Sequence, residues 1–210
     1  MLDLTLDTST DRSLIVLSEK KTIIACVDIL HGHNLSKLLV PSIQKILEEN
    51  AKKLNDISKI FIGIGPGSYT GTRIAVAVAE GLSLALNIPL YSFCSLLAFI
   101  PQNISDGSFT FLFDSKHTSH FLLKGTIRNQ KIVSSLDPFL LEEKDISDQL
   151  YGETLISFNP EALSESLLQK KGEGPVLLKA SPNLLLLINY LNDYKETLPL
   201  KPEIIYLHTF

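Results

Sequence analysis

The residues best suited to chemistry lie in one run, Gly63-Ile64-Gly65-Pro66-Gly67-Ser68-Tyr69-Thr70-Gly71-Thr72-Arg73. It follows the strand-like Ile60-Phe61-Ile62 and leads into an apolar helix, a setting in which backbone amides can cradle an anion. The side chains for phosphoryl work are missing. A Walker loop has glycine, four residues, then Gly-Lys-Ser/Thr; here Thr72 follows Gly71, and the loop holds no lysine. The dinucleotide pattern fails as well, because Ser68 or Thr70 stands where the third glycine belongs. A nucleophile elbow, Gly-x-Ser-x-Gly, is not formed around Ser68 either. Ser68 and Thr70 read better as caps for the following helix.

Two aspartates form the next constellation. Leu2-Asp3-Leu4-Thr5-Leu6-Asp7 and Phe109-Thr110-Phe111-Leu112-Phe113-Asp114 are both apolar alternations ending in aspartate. Asp7 is followed by Thr8 and Ser9, and Asp114 by Ser115. Each aspartate can simply cap its own turn; in active members of the α/β superfamily that such a duplicated layout resembles, the pair helps hold phosphates and a divalent cation in a cleft, and both readings stand. The histidines make a poor metal set. His31 and His33 are two apart at a strand end, not four apart on a helix, and His117 and His120 flank a turn. Surface histidines and no metal site are expected. Cys26 and Cys94 lie in apolar context and read as buried free thiols.

The elements that position these residues follow from periodicity. Strands are expected at Leu2–Asp7, Ser13–Ser18 and Thr22–Asp28. Leu35, Leu38, Leu39, Ile43, Ile46 and Leu47 then fall at helical spacing, so a helix runs from about Asn34 to Asn50, with Asn34 or Ser36 as cap and a kink at Pro41. A strand at Ile60–Ile64, the glycine loop, a helix from Thr70 to Asn87 and a strand at Leu90–Ser92 complete the order βββαβαβ. The strand-aspartate opening recurs at residue 109, followed by β segments at Phe121–Leu123 and Ile132-Val133, which points to a duplicated lobe. A turn-rich stretch from Pro101 to Gly107 divides the chain into an N-terminal lobe, 1–101, and a C-terminal lobe, 102–210. In the second half, helical segments are expected at Glu142–Leu150, Pro160–Lys171 and Asn183–Tyr194, with strands at Thr154–Phe158 and Val176–Leu178. Two such lobes resemble the α/β actin/sugar-kinase/Hsp70 superfamily, a ribonuclease H-like architecture of βββαβαβα units.

The helix after the loop carries a further message. Gly71, Ala75, Ala79 and Ser83 form one row of small residues, and Ala77, Gly81 and Ala85 another, which lets a second helix approach closely. Ile74, Val76, Val78, Leu82, Leu84 and Leu86 make it apolar nearly all round, so it must be covered on both sides. Its own sheet supplies one cover, and the helix from Asn34 or a second subunit supplies the other. Glu80 and the small residues argue against a membrane span. The 210 residues are 45% hydrophobic and 20% charged, with net charge −4. Lysines come in scattered pairs rather than a nucleic-acid footprint. The chain opens on a strand with no signal-type segment, so a cytoplasmic protein is expected.

Leu6-Asp7-Thr8-Ser9-Thr10, Leu38-Leu39-Val40-Pro41-Ser42-Ile43 and, above all, Gly65-Pro66-Gly67-Ser68-Tyr69-Thr70-Gly71-Thr72-Arg73-Ile74-Ala75 resemble the bacterial TsaB (YeaZ) family. Ser92–Leu97 continues the likeness, and Pro202–Leu207 is similar to its closing strand. The resemblance implies a non-catalytic subunit of the machinery that makes N6-threonylcarbamoyladenosine at position 37 of tRNA. It implies pairing with a TsaD paralogue, joined by the TsaE ATPase, with tRNA reached only indirectly and a homodimer possible for the chain alone. The implied pairing surface comprises Leu35, Leu38, Leu39, Ser42, Ile46, Thr70, Arg73, Ile74, Ala75, Val78, Ala79 and Leu82. Asp7, Thr8, Ser9, Gly67 and Ser68 match positions that touch phosphates in active members of the fold. No cofactor is expected to bind tightly, and ATP or ADP only within the complex. Departures lie in the second half: Ser115-Lys116-His117-Thr118-Ser119-His120 stands where the family carries an arginine and a glutamate, and His208 where an arginine usually closes the chain. The alternatives are an autonomous ATP-binding enzyme of the sugar-kinase-like fold and an inactive glycoprotease-like homodimer.

Overall fold

The computed structural model describes residues 1–30, 34–114, 119–135, 137–142, 154–161, 163 and 176–205. They fall into two units, one of Met1–Ser95 with the described residues from Leu187 onward, the other of Leu96–Leu186. This corrects the contiguous division at 101/102. The first crossing falls between Ser95 and Leu96, ahead of the turn-rich stretch at Pro101–Gly107, and nothing in the composition near residue 187 announces that the chain goes back.

In the first unit, β1 (Leu2–Asp7), β2 (Arg12–Glu19), β3 (Thr22–Leu30), β4 (Ile57–Gly63) and β5 (Leu90–Phe93) form a sheet in the order β3-β2-β1-β4-β5. β1 to β3 are antiparallel, whereas β4 lies parallel to β1 and β5 parallel to β4. β1 alternates as its sequence predicts. Leu2, Leu4 and Leu6 join Ile15, Leu17, Ile60 and Ile62 in a core that α1 (Leu35–Glu49) and α2 (Tyr69–Leu86) complete. Asp3, Thr5 and Asp7 take the other face and are also buried. Each large aliphatic side chain so buried contributes about 1.5–3 kcal/mol before entropy is counted.

α1 is a single element running through Pro41. Asn34 occupies its N-cap position but makes no side-chain capping bond, so the expected cap is not formed. Leu35, Leu39, Ile43, Ile46 and Leu47 face the core, while Leu38 and Val40 lie exposed. α2 ends as expected: Asn87, at φ 54°, adopts the left-handed conformation that stops the helix, and its N–H returns to the last turn. α2 buries Gly71, Thr72, Ala75, Val76 and Ala79. The row of Gly71, Ala75 and Ala79 therefore allows α2 to approach its own sheet, and the second small row, Ala77, Gly81 and Ala85, is the one left exposed.

The second unit repeats the plan. β6 (Gly107–Asp114), β7 (Ser119–Arg128), β8 (Lys131–Ser135), β10 (Thr154–Ser157) and β11 (Val176–Lys179) take the order β11-β10-β6-β7-β8, with β9 (Phe139–Glu142) also paired to β7. β6 is antiparallel to β7 and parallel to β10, as β1 is to β2 and β4. The duplication inferred from the two strand-aspartate segments is thus present strand for strand, and the fold is the actin/sugar-kinase-like α/β class. Phe158 packs against Phe99, Phe111 and Phe113 with ring centroids 5.1–5.8 Å apart.

The last helix, α3 (Leu184–Tyr194), is started by Asn183, whose Oδ1 accepts from Leu186 N at 3.2 Å. Glu142 ends β9 rather than opening a helix; the rest of that expected helix, and most of Pro160–Lys171, lie outside the described residues. Two side chains correct the sequence reading. Cys26 is a free thiol but exposed, because β3 is an edge strand on which every second residue faces solvent. His120 is buried at 7% exposure rather than on the surface, since β7 continues two residues beyond the expected start and carries it into the sheet. No helix among the described residues is long and apolar enough to cross a membrane.

Because Ala79 is fully buried and Ala77 exposed on the same helix, the two discriminate the faces of α2. Ala79→Leu is expected to lower unfolding free energy by about 1–3 kcal/mol through overpacking. Ala77→Leu should leave it within about 0.5 kcal/mol. Urea unfolding of both variants checks this, and equal losses would contradict the assigned faces.

Candidate functional site

Two surfaces gather the residues singled out by the sequence: the glycine loop with the β1–β2 turn, and the outer faces of α1 and α2. At the first, Asp7, Thr8, Ser9, Gly67 and Ser68 do come together, but they bond to one another. Ser68 N donates to the Ser9 carbonyl at 2.6 Å. Thr8 Oγ1 donates to the Gly71 carbonyl at 2.8 Å. Asp7 Oδ1 accepts from Ser9 N at 3.0 Å and from Ser9 Oγ at 2.7 Å, the Asx-turn arrangement of an aspartate that fixes its own turn.

The glycines supply clearance for this contact. A Cβ on Gly67 would lie 2.2 Å from the Ser9 carbonyl oxygen, and one on Gly71 2.3 Å from that of Thr8. Ser68 caps α2 as expected, its Oγ accepting from Gly71 N at 3.2 Å. Thr70 is already inside the first turn. From the other side Ser95 holds the loop twice, its Oγ accepting from Gly65 N and its N–H donating to the Gly65 carbonyl, both at 2.9 Å. Ile205 N donates to the Ile64 carbonyl at 2.8 Å; of the expected closing strand Pro202–Leu207, residues 202–205 are described and are not in a strand, and the other two lie outside the described residues. The loop is therefore a latch that fixes where α2 begins.

Asp7 is 1% exposed. Burial raises its pKa above the ordinary carboxylate value, against which Ser95 and Ser9 favour the charged form. Oδ2 makes no hydrogen bond of standard geometry; it faces Gly63, where a Cβ would lie 1.8 Å away. Asp114 ends β6 as Asp7 ends β1. Among the described residues no group of three His, Cys, Asp or Glu side chains is placed to hold a metal.

On the helices the twelve residues expected at the pairing surface divide. Leu35, Leu39, Ile46, Ala75 and Ala79 are at most 4% exposed and belong to the core. Leu38, Thr70 and Arg73 are exposed, and Ser42, Ile74, Val78 and Leu82 are half-buried. Periodicity identified both helices but could not decide which arc of a nearly all-apolar helix faces its own sheet. Residues not anticipated complete the outer face. Tyr69 is 52% exposed with the Arg73 guanidinium 4.1 Å from its ring centroid, and Leu84 is 85% exposed. The available signal for Leu84 was its place seven residues after Ala77. Ser95, which no local pattern marks, was missed at the loop.

The family model described as TsaD, tRNA N6-adenosine threonylcarbamoyltransferase, matches residues 30–178. The tRNA threonylcarbamoyladenosine biosynthesis protein TsaB of Bacillus subtilis is 30% identical over 155 residues, 69% of this chain and 68% of that one. TsaB of Escherichia coli is 32% identical over 94 residues, covering 45% of this chain and 40% of the relative. TsaB of a Buchnera aphidicola strain is 49% identical over 57 residues, which is 27% of this chain and 26% of that relative. The match thus spans less than half the length of the E. coli and Buchnera proteins. The solved structure of YeaZ from Pseudomonas aeruginosa superposes with TM-score 0.79 at 18% identity, covering 99% of both chains, and so shares the fold.

The buried carboxylate makes stability depend on pH. Since the Asp7 pKa is raised in the folded state, the native protein holds that proton more tightly than the unfolded chain does. Stability then falls as pH rises from about 4 through the folded pKa. Asp7→Asn should reduce the change in urea midpoint between about pH 4 and pH 7. An unaltered change would show that Asp7 titrates alike in both states.

Proposed function

The chain belongs to the TsaB (YeaZ) family, and from that premise we propose that it acts in the biosynthesis of threonylcarbamoyladenosine in tRNA as the non-catalytic partner of a TsaD-type subunit. The observation that carries this reading is the outer face of α2. Ala77, Gly81 and Ala85 leave the backbone accessible at every fourth position, while Tyr69 and Leu84 stand exposed beside them. A small-residue row flanked by large apolar side chains suits close packing against another helix, and Leu38 and Val40 of α1 extend the apolar surface.

The reading is supported from the other side by the latch. Side chains that would approach a phosphate, those of Asp7, Thr8 and Ser9, are engaged within the latch, and the one hydroxyl–carboxylate contact among them, Ser9 Oγ to Asp7 Oδ1, lies in a buried turn at 4% and 1% exposure. In this role the chain contributes a surface, the partner supplies the transfer chemistry, and the TsaE ATPase joins the pair. Nucleotide is held only in the assembled complex, and tRNA is contacted through the partner. The same helix face gives a homodimer when the partner is absent.

Gly81 provides a clean test, since a Cβ built there meets nothing within 4 Å. Gly81→Arg should fold with stability at least that of the parent, glycine being the poorer helix residue by about 0.5–1 kcal/mol relative to alanine. It should fail to pair. Gel filtration with light scattering, on each form mixed with TsaD from the same organism, is expected to give the one-to-one mass for the parent alone. A parent that stays unpaired even with nucleotide and TsaE present would overturn the proposal.

A further inference from the structure

α2 carries an apolar groove at the end away from the latch. Its helix wall is sharply finished: Ile88 N donates to the Ser83 carbonyl at 3.1 Å, and Ser83 Oγ donates to the Ile88 carbonyl at 2.6 Å. The facing wall is residues 200–202, the chain having returned to this unit, and it is anchored by Ser92 N and Ser92 Oγ donating to the Pro199 carbonyl at 2.9 and 3.3 Å. Between the walls lies a groove of about 520 Å³ whose apolar lining includes Leu84, Ile88, Leu90 and Leu200. Both walls are tied by backbone bonds, so the groove is preformed.

Two features identify an occupant. Leu84 and Leu200 are 85% and 62% exposed, so the groove is open along the helix. A small molecule is normally buried over most of its surface in its site, and this groove would leave one largely wet. Among the described residues the charged ones lining it are Glu80 on the helix and Lys201 on the opposite wall. Among the described residues neither makes an ion pair. An apolar lining between one unpaired acid and one unpaired base matches a polypeptide segment with a large apolar side chain flanked by charges of the opposite order. The groove is also continuous with the pairing face, because Leu84 belongs to both.

We propose that this groove is the anchor site of the partner subunit: a partner segment inserts one large apolar side chain between Leu84 and Leu200, with a basic residue toward Glu80 and an acidic residue toward Lys201. This rests on the pairing reading above and extends the interface beyond the helices to the returning C-terminal chain. Specificity then comes from a wall that the helix pattern alone does not include. The two rim charges fix the direction in which the segment lies.

The test measures the dissociation constant for TsaD of the same organism by titration calorimetry, with Leu200→Asp, Lys201→Glu and Gly81→Arg compared with the parent. Native circular dichroism establishes that each variant is folded. Leu200→Asp should weaken binding by roughly tenfold or more, as loss of a central apolar contact does. Lys201→Glu should weaken it severalfold and reduce its sensitivity to salt. Parent-like affinity of Leu200→Asp alongside failure of Gly81→Arg would overturn the groove and leave the pairing reading intact. No binding by the parent would overturn both. A Leu200→Asp effect confined to self-association of the chain alone would make the occupant a second copy and overturn the assignment to the partner.

Discussion

The clamp between the β1–β2 turn and the glycine loop is the interaction on which the rest of the first unit depends. Two bonds of 2.6 and 2.8 Å tie Ser9 to Ser68 and Thr8 to Gly71. They act at the first turn of an 18-residue helix, where a small error in position would propagate along its length. The glycines are needed because two backbones meet at van der Waals distance, with no room for a side chain. A sequence that looks like an anion cradle is here a joint between strand and helix. Several of the groups that a free loop would offer to a ligand are already paired, among them the amides of Gly65, Ser68 and Gly71 and the Gly65 carbonyl, as the buried part of a loop requires.

Asp7 belongs to the same joint. A charged carboxylate at 1% exposure is costly unless it is hydrogen-bonded, and the two bonds from Ser9 offset part of that cost by giving the turn its shape. Asp3, two residues earlier on the same face, solves the problem differently: Lys59 lies 3.1 Å from its Oδ2, and Ser58 Oγ donates to its Oδ1 at 3.3 Å. Burial raises the pKa of both aspartates, with Lys59 opposing it at Asp3 and serine hydroxyls opposing it at Asp7. One polar stripe on β1 thus carries two carboxylates kept in place by local partners.

How much of this the sequence discloses follows the range of the forces. Strands with alternating residues, such as Leu2–Asp7, and helices with a three–four spacing, such as Leu35–Glu49, were legible because their pattern is local. The duplicated sheet was legible because the two opening strands repeat the same alternation and terminal aspartate. Ser68 was legible as a cap because capping is decided within three residues. The partition of α2 was not, since its apolar residues surround the helix and only tertiary packing selects Ala75 and Ala79 over Ala77 and Gly81. Nor was the exposure of Cys26, because β3 reads as an ordinary strand until its position at the sheet edge is known.

The return of the chain from Leu187 was the least legible feature, and it bears most on the site. Ile205 bonds to Ile64 next to the latch, and Pro199 to Ser92 beside the end of α2. The segment between them carries Leu200 and Lys201 along the groove. Contacts between residues more than 100 positions apart leave no periodic trace, and each rests on only one or two hydrogen bonds. Yet they hold both ends of the surface that α2 presents. A helix whose start is fixed by the latch and whose end is backed by the returning chain offers a rigid face. Rigidity there lowers the ordering cost of association, so that complementarity is expressed as affinity rather than lost to conformational entropy.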